Sequence, residues 1–378
     1  MSRMETTQNQ TSFKIKPLRL FWTRGQAQLH YNIPQVMYAE GVRGSGKSVL
    51  LEHTAMNYLS YGSAVLDLFG SVTGEGLAWL RSPFIKDLRV LLLRGQNVDV
   101  DCEWPVREAD KLTLADFYKF DLIISARPLF LNRDQEYIAA GAISNLLYSR
   151  FSWHRIIYML VREASSLWHS RIMISQKQTD MKSESIYMLR ESRHLGLALG
   201  LDSLRYMAID KDIRSHFDWM FLKACGIEGL ADEMKWLYSF FNPNWVQNMR
   251  EYEFIIVNRR GPLGVGWCPM VDWHAREGEN LLRQLNFKIE YGEVLNEGLD
   301  KGTFSTLSDS EHSNMINLYC QNLGMNKVAE QIGRSPKTVN SHINRHDKAV
   351  LRSGFCGICK RTNNPNFNRA VKREAKRV

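Results

Sequence analysis

The chain has 378 residues, 44% apolar and 24% charged, the proportions of an ordinary globular protein with room for one large α/β domain and a smaller one. The longest apolar runs, Leu91–Leu93 and Ile156–Val161, are far too short to cross a bilayer. Residues 1–16 form a polar tail without the apolar core or cleavage site of a signal peptide. The net charge of +9 is unevenly spread: residues 306–378 carry thirteen Lys and Arg against five Asp and Glu, leaving the first 305 residues near neutral.

Six mostly isolated cysteines speak for a reducing compartment rather than a disulfide framework, so a cytoplasmic location without membrane insertion is expected. Gln35–Glu40 reads as a strand, and a helical spacing runs from Val49 through Leu59. Between them stands Gly41-Val42-Arg43-Gly44-Ser45-Gly46-Lys47-Ser48, which matches the phosphate-loop pattern G-x-x-x-x-G-K-[ST] at every specified position. In this context Gly41, Gly44, Ser45, Gly46, Lys47, Ser48 and Val49 are expected to bind a nucleoside triphosphate, ATP. Backbone amides and the helix N-terminus would cradle the phosphates, Lys47 would reach the terminal ones, and the Ser48 hydroxyl would ligate Mg²⁺.

Further buried-type strands follow at Ser63–Gly70, Arg89–Leu93 and Asp121–Ser125, then a helix over 132–151. Arg155–Glu163 is an apolar strand ending in an acid, the place where an open parallel sheet puts its chemistry. A polar helix over 178–193, strands at Leu195–Leu201 and Phe217–Leu222, and a hairpin of 252–257 with 265–268 complete a mostly parallel α/β sheet over residues 17–287. Residues 288–306 read as a linker. Asp67, at a strand end, is a candidate metal ligand or a plain turn residue.

The order of phosphate loop, strand-end acid, Glu163, Glu191–Gly196, apolar strand and Ser203–Asp210 resembles the HerA/FtsK family of DNA-pumping ATPases, which includes viral packaging motors. The resemblance covers roughly residues 30–225. It implies a RecA-like P-loop NTPase domain, ATP and Mg²⁺ as cofactors, a ring-like homo-oligomer, and double-stranded DNA as partner, in the cytoplasm of a cell or of a virus-infected host. Glu163 matches the family's water-polarising Walker B glutamate, though an acid here also fits a cap on the following helix. Arg193 matches the basic position that faces a neighbouring subunit's nucleotide, and it equally fits a surface ion pair. Two departures stand out. Arg162 occupies the place of the family's aspartate before the catalytic glutamate, and Ser203-Leu204 the place of its Thr-Gln pair, with Asp202 or Ser203 as stand-ins.

Residues 307–350 carry a second pattern. Leu307–Glu311 has the look of a helix start, and Ser335-Pro336 sets an N-cap and first helical residue after Ala329 and Gly333. The segment resembles a LuxR-type or sigma-factor-type helix-turn-helix, a small all-α domain in which Lys337, Thr338, Asn340, Ser341 and Arg345 would contact DNA. A helical hairpin serving protein contacts fits the same pattern, and the basic charge favours DNA. His342 and His346, four apart on one helix face, with Cys356 and Cys359 make a candidate Zn²⁺ set within and beside the basic tail 351–378. Packing of His342 and unligated cysteines are the alternative. The expected activity is therefore an ATP-hydrolysing DNA translocase or packaging motor, or else a nucleotide-switched DNA-binding regulator with little turnover.

Overall fold

The computed structural model describes residues 15–23, 29–70, 72–150, 155–171, 173, 175–258, 260–276, 279–292, 309–321, 323–353 and 356. The strands are β1 (Arg19–Thr23), β2 (Val36–Glu40), β3 (Ala64–Phe69), β4 (Val90–Arg94), β5 (Val98–Asp101), β6 (Val106–Glu108), β7 (Leu122–Ala126), β8 (Ile157–Arg162), β9 (Leu197–Ser203), β10 (Trp219–Leu222), β11 (Glu253–Asn258), β12 (Gly261–Trp267) and β13 (Lys288–Tyr291). Among the described residues, eleven of them form one sheet in the order β1-β12-β11-β10-β2-β9-β8-β3-β7-β4-β6. From β10 to β6 every neighbouring pair is parallel, and the β11–β12 hairpin with β1 adds an antiparallel flank.

Strands β2, β3, β7, β8 and β9 are buried at every residue. That is why they read as unbroken apolar runs rather than as alternating ones: helices cover both faces of a parallel sheet. The helix Lys47–Ser60 packs on β8 and β9, and Arg133–Tyr148 lies against Gln176–Arg190. Those last two are capped by Asn132 and Ser175, whose side chains accept from the backbone N–H of Gln135 and Gln178. The polar helix expected over 178–193 ends at Arg190, after which a short turn, Ser192–Leu195, closes on Gly196 in the left-handed conformation.

The expected linker is in part ordered sheet. Lys288–Tyr291 pairs antiparallel with β5, and the rings of Trp104 and Phe287 stack beside it at 6.0 Å. The rest of that stretch, from 293 to 308, lies outside the described residues. Short edge strands of mixed polarity (β1, β5, β6, β13) escape periodicity because three to five residues carry too few alternations.

The chain divides into two compact units, Met1–Glu293 and Val294–Val378. The second contains three helices among its described residues, Asp309–Cys320, Met325–Ile332 and Pro336–Ser353, around Met315, Ile316, Val328, Val339 and Ile343. Gly333 ends the middle helix at φ 69°, and Ser335 Oγ accepts from the Thr338 N–H at 3.2 Å, so the expected cap is present. Among the described residues no helix is long and apolar enough to cross a membrane.

At Gly200, in the middle of β9, an added Cβ would sit 1.8 Å from Tyr158 Oη on β8. The two strands thus interlock, Gly200 leaving room for the tyrosine, which also stacks on Tyr58 at 4.6 Å. Gly200→Ala is expected to cost about 1–3 kcal/mol through overpacking, measured as a lowered urea midpoint.

Candidate nucleotide site

Strand register brings the chemistry together. Ala39 pairs with Asp202 and Glu40 with Ser203 across β2–β9, while Val161 pairs with Leu201 across β9–β8. The phosphate loop after β2 and Glu163 after β8 therefore flank the end of β9. Gly44 and Gly46 take φ 73° and 80°, and a Cβ on Gly46 would also lie 2.5 Å from the Glu251 carbonyl oxygen, so two independent constraints require glycine at 46. The turn closes through Ser45 N–H to Val42 O, and Val42 N–H donates to Ala224 O at 2.8 Å. Helix Lys47–Ser60 then starts directly from Gly46, leaving its first-turn N–H groups aimed outward, an anion-binding terminus. Lys47 Nζ lies over this loop, donating to Val42 O at 3.0 Å.

Glu163 has left-handed backbone angles, φ 49° and ψ 53°, unusual for a residue with a side chain. Its N–H donates to Asp202 Oδ1, and the other oxygen of Asp202 accepts from Ser48 Oγ at 3.3 Å. Asp202 thus links the phosphate-loop serine to the Glu163 backbone. The Glu163 carboxylate makes no capping bond to the turn Ala164–Ser166, so its alternative role as a cap is not the one adopted. Burial pushes the Glu163 carboxyl above its ordinary range, opposed by Lys47 and Arg43. Burial first, and then the Glu163 charge, raises that of Asp202 as well. A cation brought to this spot would relieve both.

Arg162 serves a different cluster. Its guanidinium, 1% exposed, grips Asp67 of β3 through Nε and Nη2 (2.7 Å to Oδ2) and reaches Glu52 of the phosphate-loop helix at 2.8 Å. Trp79 Nε1 donates to the same Asp67 oxygen at 2.7 Å, and His274 Nδ1 meets Glu52 Oε2 at 2.7 Å. Asp67, a candidate metal ligand in sequence, instead has both oxygens committed to this buried cluster. Although burial disfavours charge on Arg162, the facing carboxylates hold its pKa well above the usual value.

Arg193 lies elsewhere. It pairs with Asp218, whose second oxygen accepts from the N–H of Val36, the first residue of β2. At about 3.3 Å per strand residue, that is roughly 13 Å from the phosphate-loop end. Within its own chain it therefore faces Asp218 rather than the loop; the exposed Arg205, right after β9 and paired with Glu228, is on the loop edge instead. In the second unit, His346 and Cys356 are brought together with His312, not His342, and Cys359 lies outside the described residues. Lys337, Asn340, Ser341 and Arg345 are exposed on the third helix, and Thr338 is half-buried with its hydroxyl bonded to Ser335.

Sequence reasoning missed the Glu52–Arg162–Asp67–His274–Trp79 cluster and His312. The cluster had one visible signal, charged residues inside otherwise apolar elements: Asp67 in β3, Arg162 in β8 and Glu52 in Val49–Leu59.

A phosphate-loop sequence on a predominantly parallel α/β sheet is the class this unit resembles. No protein-family model and no curated protein matches the chain. Among solved structures it is similar to the genome packaging NTPase B204 of Sulfolobus turreted icosahedral virus 2 in complex with ATP-gammaS, at 12% identity and a TM-score of 0.39, over 64% of this chain and 100% of that one. It is also similar to the pCW3 conjugation coupling protein TcpA (13%, 0.39, 65% and 64%) and to the cytoplasmic domain of the Type VII secretion ATPase EccC of Thermomonospora curvata (10%, 0.38, 65% and 25%).

Two outcomes follow from the buried cluster. Arg162→Ala strands two buried carboxylates and is expected to cost about 3–5 kcal/mol in urea unfolding. Arg162→Asp should destabilise more, because three carboxylates would then share one buried site. Separately, burial lowers the His274 pKa but the Glu52 carboxylate outweighs it and leaves it raised. Its stabilising contribution is then complete below about pH 6.5, the unfolded value, and is lost as pH rises through the folded one. His274→Gln should therefore narrow the stability difference between about pH 6 and about pH 8.5, read from unfolding curves at both.

Proposed function

We propose that this chain is an ATP-hydrolysing motor acting on duplex DNA, of the packaging, conjugation or segregation kind. The observation that carries the reading is the convergence of Lys47, Ser48, Asp202 and Glu163 at the aligned ends of β2, β9 and β8. Oxygen donors from a hydroxyl and a carboxylate suit a hard cation, so Ser48 and Asp202 would hold Mg²⁺. When bound with ATP, the ion would neutralise charge developing on the phosphates. Lys47 and the first-turn amides would bind the phosphate oxygens, and the Glu163 carboxylate, held in place by its strained backbone, would orient the attacking water and take its proton. In this scheme Asp202 takes over the duty of the aspartate that Arg162 has displaced.

The three-helix unit supplies the DNA-engaging part of the proposal, as a helix-turn-helix. Its third helix would offer phosphate and base contacts from Lys337, Asn340, Ser341 and Arg345, with Thr338 beside them. Thirteen basic against five acidic residues over 306–378 suit a polyanionic partner. Assembly into a ring of identical subunits, with nucleotide at the interfaces, belongs to the same proposal. Arg162 favours a second reading, because it removes the usual metal-side aspartate: a nucleotide-switched DNA-binding regulator with slow turnover.

ATPase rates with and without long duplex DNA separate the two. A motor is stimulated by DNA, and Glu163→Gln lowers its rate by about 10²-fold or more while ATP binding persists. Negligible turnover in the wild type, with ATP-dependent and sequence-specific DNA binding, would replace the motor with the switch.

A further inference from the structure

The second unit holds three buried potential ligands from separate segments. His312 lies on the helix Asp309–Cys320, His346 on Pro336–Ser353, and Cys356 just beyond that helix, at 3%, 1% and 3% exposure. Their donor atoms all lie within 4.8 Å of one another. We propose that His312, His346 and Cys356 bind one structural Zn²⁺ that clamps the first helix to the third.

Three observations support the site. His312 Nε2 and Cys356 Sγ stand 3.6 Å apart. Two donors at about 2.05 and 2.3 Å from one ion at the tetrahedral angle stand about 3.6 Å apart as well, so this edge already has the spacing of a zinc site. Two imidazoles and a thiolate form a borderline-soft donor set that suits Zn²⁺ over Mg²⁺ or Ca²⁺. The unit is also small, with an apolar core of Met315, Ile316, Tyr319, Val328, Ala329, Val339 and Ile343, the size at which domains commonly need a metal or disulfide staple. His312 and Cys356 are 44 residues apart, so their shared ion would close nearly the whole three-helix unit.

Two of these ligands overlap the set expected from sequence, and the spatial arrangement changes the third. His342 is only half-buried and is not among the donors that lie within 4.8 Å of one another. His312 enters from 30 residues earlier than His342, a separation no local motif spans. The three side chains leave one tetrahedral position to a fourth donor.

The test uses the full chain, purified without chelator and under reducing conditions, with metal content measured directly. About one zinc per chain is expected, lost in His312→Ala, His346→Ala and Cys356→Ser and retained in His342→Ala. Because a ligand variant can fail to fold, the wild type is also stripped and reloaded with Co²⁺. A thiolate-to-cobalt charge-transfer band together with tetrahedral d–d bands supports the site. Metal-free wild type that keeps its helical signal and gives no such band on Co²⁺ addition would overturn it. So would loss of zinc in His342→Ala with retention in His312→Ala.

Discussion

The guanidinium of Arg162 holds four parts of the first unit in one place. Through Asp67 it ties β8 to β3, and through Glu52 it reaches the helix that begins at the phosphate loop. Through Glu52 it also engages His274, far along the chain after β12. A buried ion cluster of this kind contributes modest net stability, because desolvation offsets much of its Coulomb attraction, but it fixes geometry strictly. Here the geometry fixed is the relation between the strand that carries Glu163 and the helix that carries Ser48. A small rotation of either would leave a charge buried without its partner.

That arrangement also divides the labour at the end of β8 between neighbouring residues. Arg162 turns inward and is structural; Glu163, one residue on, leaves the strand through a left-handed turn into the site. A buried acid stands instead at Asp202, on the strand between the phosphate loop and Glu163. There it accepts both from Ser48 and from the Glu163 backbone. The sheet order makes this possible, since β9 lies between β2 and β8.

Much of this was legible in the sequence. The phosphate loop, its flanking strand and helix, and the buried strands β3, β7, β8 and β9 were visible because full burial produces long apolar runs. The three C-terminal helices were visible through the Ser335-Pro336 start and the glycine at 333. What sequence could not give was which way a charged residue faces within a buried strand. Asp67 read as either a metal ligand or a turn residue, and its actual partners are Trp79 and Arg162, 12 and 95 residues away. Arg193 is paired with Asp218, 25 residues away, as the surface ion-pair alternative for it allowed. His312 carried no local signal at all.

The Arg162 cluster also bears on how this chain can change. Arg162, Asp67, Glu52 and His274 each have a charge or hydrogen bond that another member needs, so their effects are strongly coupled rather than additive. An aspartate introduced before Glu163 by one substitution would meet Asp67 and Glu52 without their buried cation, so the single change alone is expected to fold poorly. Asp202 is held differently, its partners being a serine hydroxyl and a backbone N–H rather than a buried counter-charge. The contacts that make an arginine tolerable at position 162 are thus the same ones that bar an acid there.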